Sequence, residues 1–248
     1  MPPKKAPQLP TKDTPLSYHQ MVIELLKFLE VSIHTILFVR RIYPTELFAR
    51  RKKYDAPVYQ SRHPDLNSYI SGAVKAVGEE LVRGTVQRVV VVIRDRDNVA
   101  LERFVFNFSG LPAIPKDAEW QKWSNVEGVM SAATLAQYFR SFLIRLALLD
   151  RQLGTLPESW DSTFAVVMEL KDGETPSEPV SKAKAKDKPP VAWVPALVQN
   201  TTAGMTEDAE SHIIRTVDTG LVNLSLIVQE SEDKLLRIKA LEDDSMEL

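Results

Sequence analysis

The sequence predicts an α+β domain, with helices packed on an antiparallel sheet, and three observations carry that class. Residues 14–42 read as one long helix that is apolar around most of its circumference, the pattern of a helix buried in the middle of a domain. The β-branched run Val89 to Ile93 is followed, across the turn residues Asp95-Arg96-Asp97-Asn98, by the alternating Phe104, Phe106 and Phe108, which makes an antiparallel hairpin. Thr163 to Leu170 repeats the strand pattern and extends that hairpin to three strands.

Residues 1–13, MPPKKAPQLPTKD, lack the apolar stretch of a secretory signal and read as a disordered tail. In the long helix, Asp13 or Thr14 is the expected N-cap and Pro15 suits the first helical position. A helix of that span is about 40 Å long. Gln20, Glu24, Lys27 or Glu30, and His34 draw a narrow wet stripe along it. The charges at Glu24, Lys27 and Glu30 fall near its centre, where hydrocarbon would penalise each of them, so a protein core and not a membrane is its expected surrounding.

Pro44 to Arg51 reads as a short helical turn, and the basic cluster Arg50 to Lys53 as a solvated loop or hairpin end, with phosphate contact or nuclear localisation as its functional alternative. Tyr54 to Tyr59 looks extended, and Pro57 confines it to an edge. A second helix follows from Pro64 to Val82: Leu66, Ile70, Val77 and Leu81 recur at helical spacing, and Gly84 supplies the stop. Tyr69 lies beside that stripe, as either a core-edge aromatic or part of a binding pocket. Asp95 and Asp97 read as solvated turn residues.

Trp120 and Trp123 sit in a connector and are expected to pack it onto the domain. A third helix spans about 126–153, with Leu135, Tyr138 or Phe139, Phe142, Leu146 and Leu149 on one face and Arg140 and Arg145 on its flank. Residues 171–190 carry no apolar periodicity and predict a mobile loop. The apolar stretch at 191–198 and the strand that the alternation of Leu221 to Val228 predicts are too small to build a core of their own, so they complete the first domain. Residues 229–248, acidic and helix-forming, read as an exposed helix or frayed tail.

Composition narrows the function. With 31 Lys and Arg against 33 Asp and Glu, the net charge of -2 offers no global basic field for nucleic acid. The absence of cysteine excludes disulfides, thiolate metal sites and cysteine nucleophiles together. The four histidines, His19, His34, His63 and His212, show no metal-ligand spacing, and neither a glycine-rich phosphate loop nor a hydrolase motif is present. No enzymatic activity and no cofactor are therefore expected, and a nuclear or cytoplasmic location fits the chain.

Several segments together resemble the HORMA-domain family: FLEVSIHTILFVRRIYP, RRKKYDAPV, HPDLNSYI, VVVVIRD, ERFVFNF and TFAVVMEL, in that order over about residues 15–228. KKY-x-x-PV and HP-x-LN-x-YI are similar to the family's DNA polymerase zeta branch more than to its spindle-checkpoint and meiotic-axis branches. The resemblance implies three helices on a three-stranded antiparallel sheet within a domain at 14–228, with a mobile C-terminal seat belt, 171–228, that adds strands and wraps a partner's peptide. Residues 229–248 fall outside the family pattern. It also implies a nuclear, non-catalytic adaptor of translesion DNA synthesis, holding a proline-containing peptide of the polymerase zeta catalytic subunit and bridging it to a Y-family scaffold polymerase. DNA would be reached only indirectly.

Residue by residue, the resemblance assigns Tyr69 and Trp193, with the adjoining Val194 and Pro195, to the captured peptide. Arg140 matches a position used in HORMA homodimers. Leu224, Ser225, Leu226 and Ile227 match the surface for the second polymerase, with Ser225 and Ile227 standing where animal members carry an amide and a tyrosine. Two other readings remain open: a spindle-checkpoint or meiotic-axis HORMA protein capturing a different peptide, and direct nucleic-acid binding through residues 50–53 and the lysines at 182–188.

Overall fold

The computed structural model describes residues 14–111, 126, 128–176 and 209–246. Helix α1 (Tyr18–Val39) starts later than Pro15 suggests, because Ser17 and Gln20 form a capping box. Ser17 Oγ accepts from the Gln20 N–H at 3.3 Å, and Gln20 Oε1 accepts from the Ser17 N–H at 2.9 Å. Pro15 is engaged instead in a bridge to Ser131. The helix stops at Arg40 because Arg41, with φ 53, leaves the helical region.

A two-stranded ribbon follows, β1 (Phe48–Lys53) paired with β2 (Ala56–Ser61). The basic cluster therefore lies at the end of a hairpin, the second of its two expected settings, with Arg50, Arg51 and Lys52 exposed. Helix α2 (Pro64–Arg83) ends at Gly84 in the left-handed conformation, where glycine carries no Cβ penalty. Strands β3 (Val86–Arg94), β4 (Ala100–Ser109) and β5 (Thr163–Leu170) form the expected antiparallel core, and strands added by the C-terminal segment bring the sheet to five, in the order β5-β3-β4-β7-β6. The hairpin of β6 (Glu210–Asp218) and β7 (Asn223–Glu230) supplies the other two. Its turn presses on the loop before α3: a Cβ on Gly220 would lie 2.3 Å from the Gly128 carbonyl oxygen.

One face of this sheet carries Val89, Val91, Phe104, Phe106, Leu224 and Leu226, all fully buried against the helices. Alternation places Val90, Val92 and Val105 on the opposite face in a smaller apolar cluster. Helix α1 contacts α2, α3 (Ala132–Ala147) and β2, so its nearly all-round apolar surface is accounted for by neighbours on several sides. Among the described residues no helix is long and apolar enough to cross a membrane. Helix α3 is shorter than expected because Met130 is spent on backbone bonds to Leu16 and Thr219, and Ser131 caps the helix; residues Asp150–Leu153 add one separate turn.

Three expectations about polar groups need correction. Asp95 is buried, not solvated: its Oδ1 accepts from the Asp97 and Val99 N–H groups at 2.9 Å each, and its Oδ2 meets Arg237 at 2.7 Å. The C-terminal segment forms helix α4 (Glu232–Met246), and its first turn is docked, with Ser231 and Lys234 fully buried. His34, expected on the wet stripe, is buried with Nδ1 accepting from the Ser61 N–H at 3.4 Å.

Burial lowers the His34 pKa to about 4, well under its ordinary value. The folded protein therefore resists a proton that the unfolded chain takes up near pH 6.5, and stability falls as pH drops from about 6.5 towards 4. The loss attributable to His34 is about 2 to 3 kcal/mol. Urea unfolding across that window should show a shallower pH dependence for His34→Gln than for the parent; identical slopes would refute the assignment.

Candidate functional site

Strand β5 pairs with β3 on one side, and among the described residues nothing pairs with its other edge. The Lys171 N–H just beyond it donates to Thr85 O on the β3 side, so odd-numbered residues face β3 and even-numbered ones face the free edge. Tyr69 of α2 confirms the parity, since its hydroxyl accepts from the Val166 N–H at 3.4 Å. That tyrosine is 48% exposed, and its ring meets Phe164 edge-on at 5.5 Å.

Tyr43, Leu47, Leu66, Tyr69 and Phe164 line a groove of about 600 Å³ beside that edge, with His63, Asp65 and Arg94 at its polar margin. Tyr43 also meets Phe164 edge-on, at 6.3 Å. Burial, reinforced by Tyr69, holds the Tyr43 phenol above its ordinary pKa, so it stays a neutral hydrogen-bonding group. An open strand edge beside an aromatic trough is suited to an extended peptide: main-chain hydrogen bonds supply affinity and alternate side chains enter the trough. Tyr43 and Phe164 were not among the sequence-derived site residues. Their positions, just past the end of α1 and at the start of β5, carry no periodic signal that singles them out.

The remaining candidates fall in different places. Trp193, Val194 and Pro195 lie outside the described residues, as do Trp120, Trp123 and the lysines at 182–188. Arg140 is exposed on α3, one helical turn from the exposed Ile144. The set on β7 is divided by the pleat: Leu224 and Leu226 are fully buried in the core and cannot meet a partner, while Ser225 and Ile227 are half-buried on the other face. Ser225 Oγ accepts from Asn107 Nδ2 at 3.0 Å, and the backbone of β7 is occupied on both sides by β4 and β6. Of the four residues that the resemblance assigned to a second partner, Ser225 and Ile227 alone reach the outer face.

A buried ion network ties the C-terminal elements together. Arg40, at the end of α1, clamps Glu102 on β4 with bonds of 2.8 and 2.7 Å and reaches Asp150 at 2.9 Å. Lys234 of α4 meets Glu102 at 2.7 Å, pairs with Glu230 at the end of β7, and donates to Leu153 O at 2.8 Å. Glu230 also meets His212 at 3.1 Å. Glu210, His212 and Glu230 are the one group among the described residues with ligand atoms close enough to share a metal, within 4.8 Å. Because the Lys234 ammonium already compensates Glu230, the cluster is accounted for as part of this network.

Comparison with known proteins places this architecture. The family model described as "HORMA domain" matches residues 24–221. The chain belongs to the HORMA-domain family. Within the family, the chain is 32% identical over 221 residues to the cattle (Bos taurus) "Mitotic spindle assembly checkpoint protein MAD2B", covering 88% of this chain and 95% of that one. It is 35% identical over 161 residues to the "DNA polymerase zeta processivity subunit" of Schizosaccharomyces pombe, covering 65% and 74%. Among solved HORMA-fold structures, "C. elegans HTP-2 bound to HTP-3 closure motif 1" superposes with a TM-score of 0.63 at 12% identity, covering 93% of this chain and 97% of that one. "Crystal Structure of Mitotic Checkpoint Complex" follows with a TM-score of 0.62 at 19% identity, covering 85% and 98%. The structural likeness supports the α+β HORMA fold with its antiparallel sheet, and no enzyme family is indicated.

Proposed function

We propose that this HORMA domain is a nuclear, non-catalytic adaptor of DNA polymerase zeta in translesion synthesis, and that it captures a proline-containing peptide of the polymerase's catalytic subunit along β5. The observation that carries the reading is the placement of Tyr69, a half-exposed aromatic in hydrogen-bond contact with the free edge of β5, in a chain whose relatives include polymerase zeta processivity subunits. A rigid aromatic face suits proline, since neither surface loses much freedom on contact. In this reading Trp193, Val194 and Pro195 also bind the captured peptide. Ser225 and Ile227 face the second, Y-family polymerase, Arg140 marks a homodimer contact, and DNA is reached through the polymerases.

Fluorescence anisotropy with a labelled proline-containing segment of the catalytic subunit tests the capture step. Tyr69→Ala should weaken binding about tenfold or more, as expected for an aromatic anchor, whereas Tyr69→Phe should bind almost normally. An affinity for Tyr69→Ala within about threefold of the parent would refute the assignment. The checkpoint name carried by the cattle relative favours one second reading, capture of a spindle-checkpoint partner's peptide at the same edge. A peptide array presenting both kinds of segment separates the two, because the fold is shared and the site decides.

A further inference from the structure

The groove beside β5 does not end at Tyr43. The same residue also lines a second cavity, of about 670 Å³, between the chain leaving α1 and the loop that leads into β5. This cavity adjoins the N-terminal end of β5, so a peptide paired along the strand and running past Phe164 meets it next. Its charge is biased. Glu46, Glu158 and Asp161 bring three exposed carboxylates to its walls. Of the two arginines there, Arg40 is already consumed by Glu102 and Asp150, which leaves Arg41 as the one cation facing three acids. Glu158 and Asp161 make no ion pair among the described residues. Ser162, also on the wall, has its hydroxyl buried with no hydrogen-bond partner, the condition of a group that a bound donor or acceptor would satisfy.

We propose that this second cavity is a specificity subsite that takes a lysine or arginine flanking the paired segment of the captured peptide. The inference rests on the capture reading above and adds the charge of the ligand to it. Lysine and arginine combine a long apolar stem, which packs along Tyr43 and Leu156, with a cationic head that reaches Glu46, Glu158 and Asp161. A glutamate at the same place would meet three like charges, so the subsite rejects acidic flanks as well as selecting basic ones.

The test uses the full chain and a labelled proline-containing segment of the polymerase zeta catalytic subunit, synthesised with lysine, alanine or glutamate at each of the positions flanking the proline-containing stretch on either side. At one side and position, the lysine peptide should bind about fivefold tighter than the alanine peptide, with the glutamate peptide weakest, and the preference should shrink as salt is raised. The triple variant Glu46→Gln, Glu158→Gln, Asp161→Asn should erase that preference while holding the alanine peptide within about twofold of the parent. Equal binding of the three peptides by the parent protein, or a preference that survives in the triple variant, would overturn the subsite and leave the capture reading standing. Failure of all three peptides to bind the parent protein would overturn the capture reading itself, and the subsite with it.

Discussion

Replacing Lys234 with methionine is expected to lower the unfolding free energy by about 3 to 5 kcal/mol, the range found when one partner of a buried ion pair is removed. The lysine ammonium is fully buried between Glu102 and Glu230 and also donates to Leu153 O. Its loss leaves Glu102 to Arg40, which already serves Asp150, and leaves Glu230 with His212 as its remaining close partner. Pairing Lys234→Met with Glu230→Gln should recover part of the loss, because the orphaned charge is removed with its partner. Lys27→Met, which breaks an exposed pair with Glu24, should cost less than about 1 kcal/mol. Chemical denaturation of the four proteins decides the matter, and a Lys234→Met variant as stable as Lys27→Met would show that α4 does not brace the sheet.

Phe28→Ala should be comparably damaging, at about 3 to 5 kcal/mol. Phe28 is fully buried, stacks on Phe139 at 4.3 Å with planes 8° apart, and meets Phe142 edge-on at 5.4 Å and Phe106 at 6.2 Å. One ring thus joins α1 to α3 and to β4, and its removal opens a cavity where three elements meet. By contrast Ile23, on the exposed side of α1, should tolerate alanine at a cost of about 0.5 kcal/mol. A small effect at Phe28 in equilibrium unfolding would contradict the placement of α1 at the centre of the core.

The pattern of these costs explains what the sequence disclosed and what it withheld. Periodicity is a local property, so the apolar cylinder of α1, the valine run of β3 and the alternating phenylalanines of β4 were legible from the chain alone. The fourth and fifth strands were not fully so. Residues 221–228 read as a strand, but nothing local says that His212 and Ile213 pair with it from across a turn. Buried charge was the hardest feature to read. Asp95, Glu102 and Lys234 have the composition of solvated residues, and their burial depends on partners 62 to 142 positions away, as with Arg40 and Glu102 or Asp95 and Arg237.

The site shows the same division. Tyr69 was identifiable as an aromatic off the apolar stripe of its helix, but its neighbours Tyr43 and Phe164 become a groove only when α1, α2 and β5 converge. On β7 the family resemblance assigned four consecutive residues to one surface, and the pleat sends Leu224 and Leu226 the other way. Consecutive residues of a strand cannot share a face.

Residue-resolved amide hydrogen exchange with and without the proline-containing peptide tests strand addition at β5 most directly. Binding should slow exchange at Phe164 and Met168, whose amides face the free edge, while Val166, already bonded to the Tyr69 hydroxyl, and Ala165, Val167 and Glu169, bonded towards β3, should change less. Uniform slowing along β5, or protection confined to α3 and β7, would contradict it.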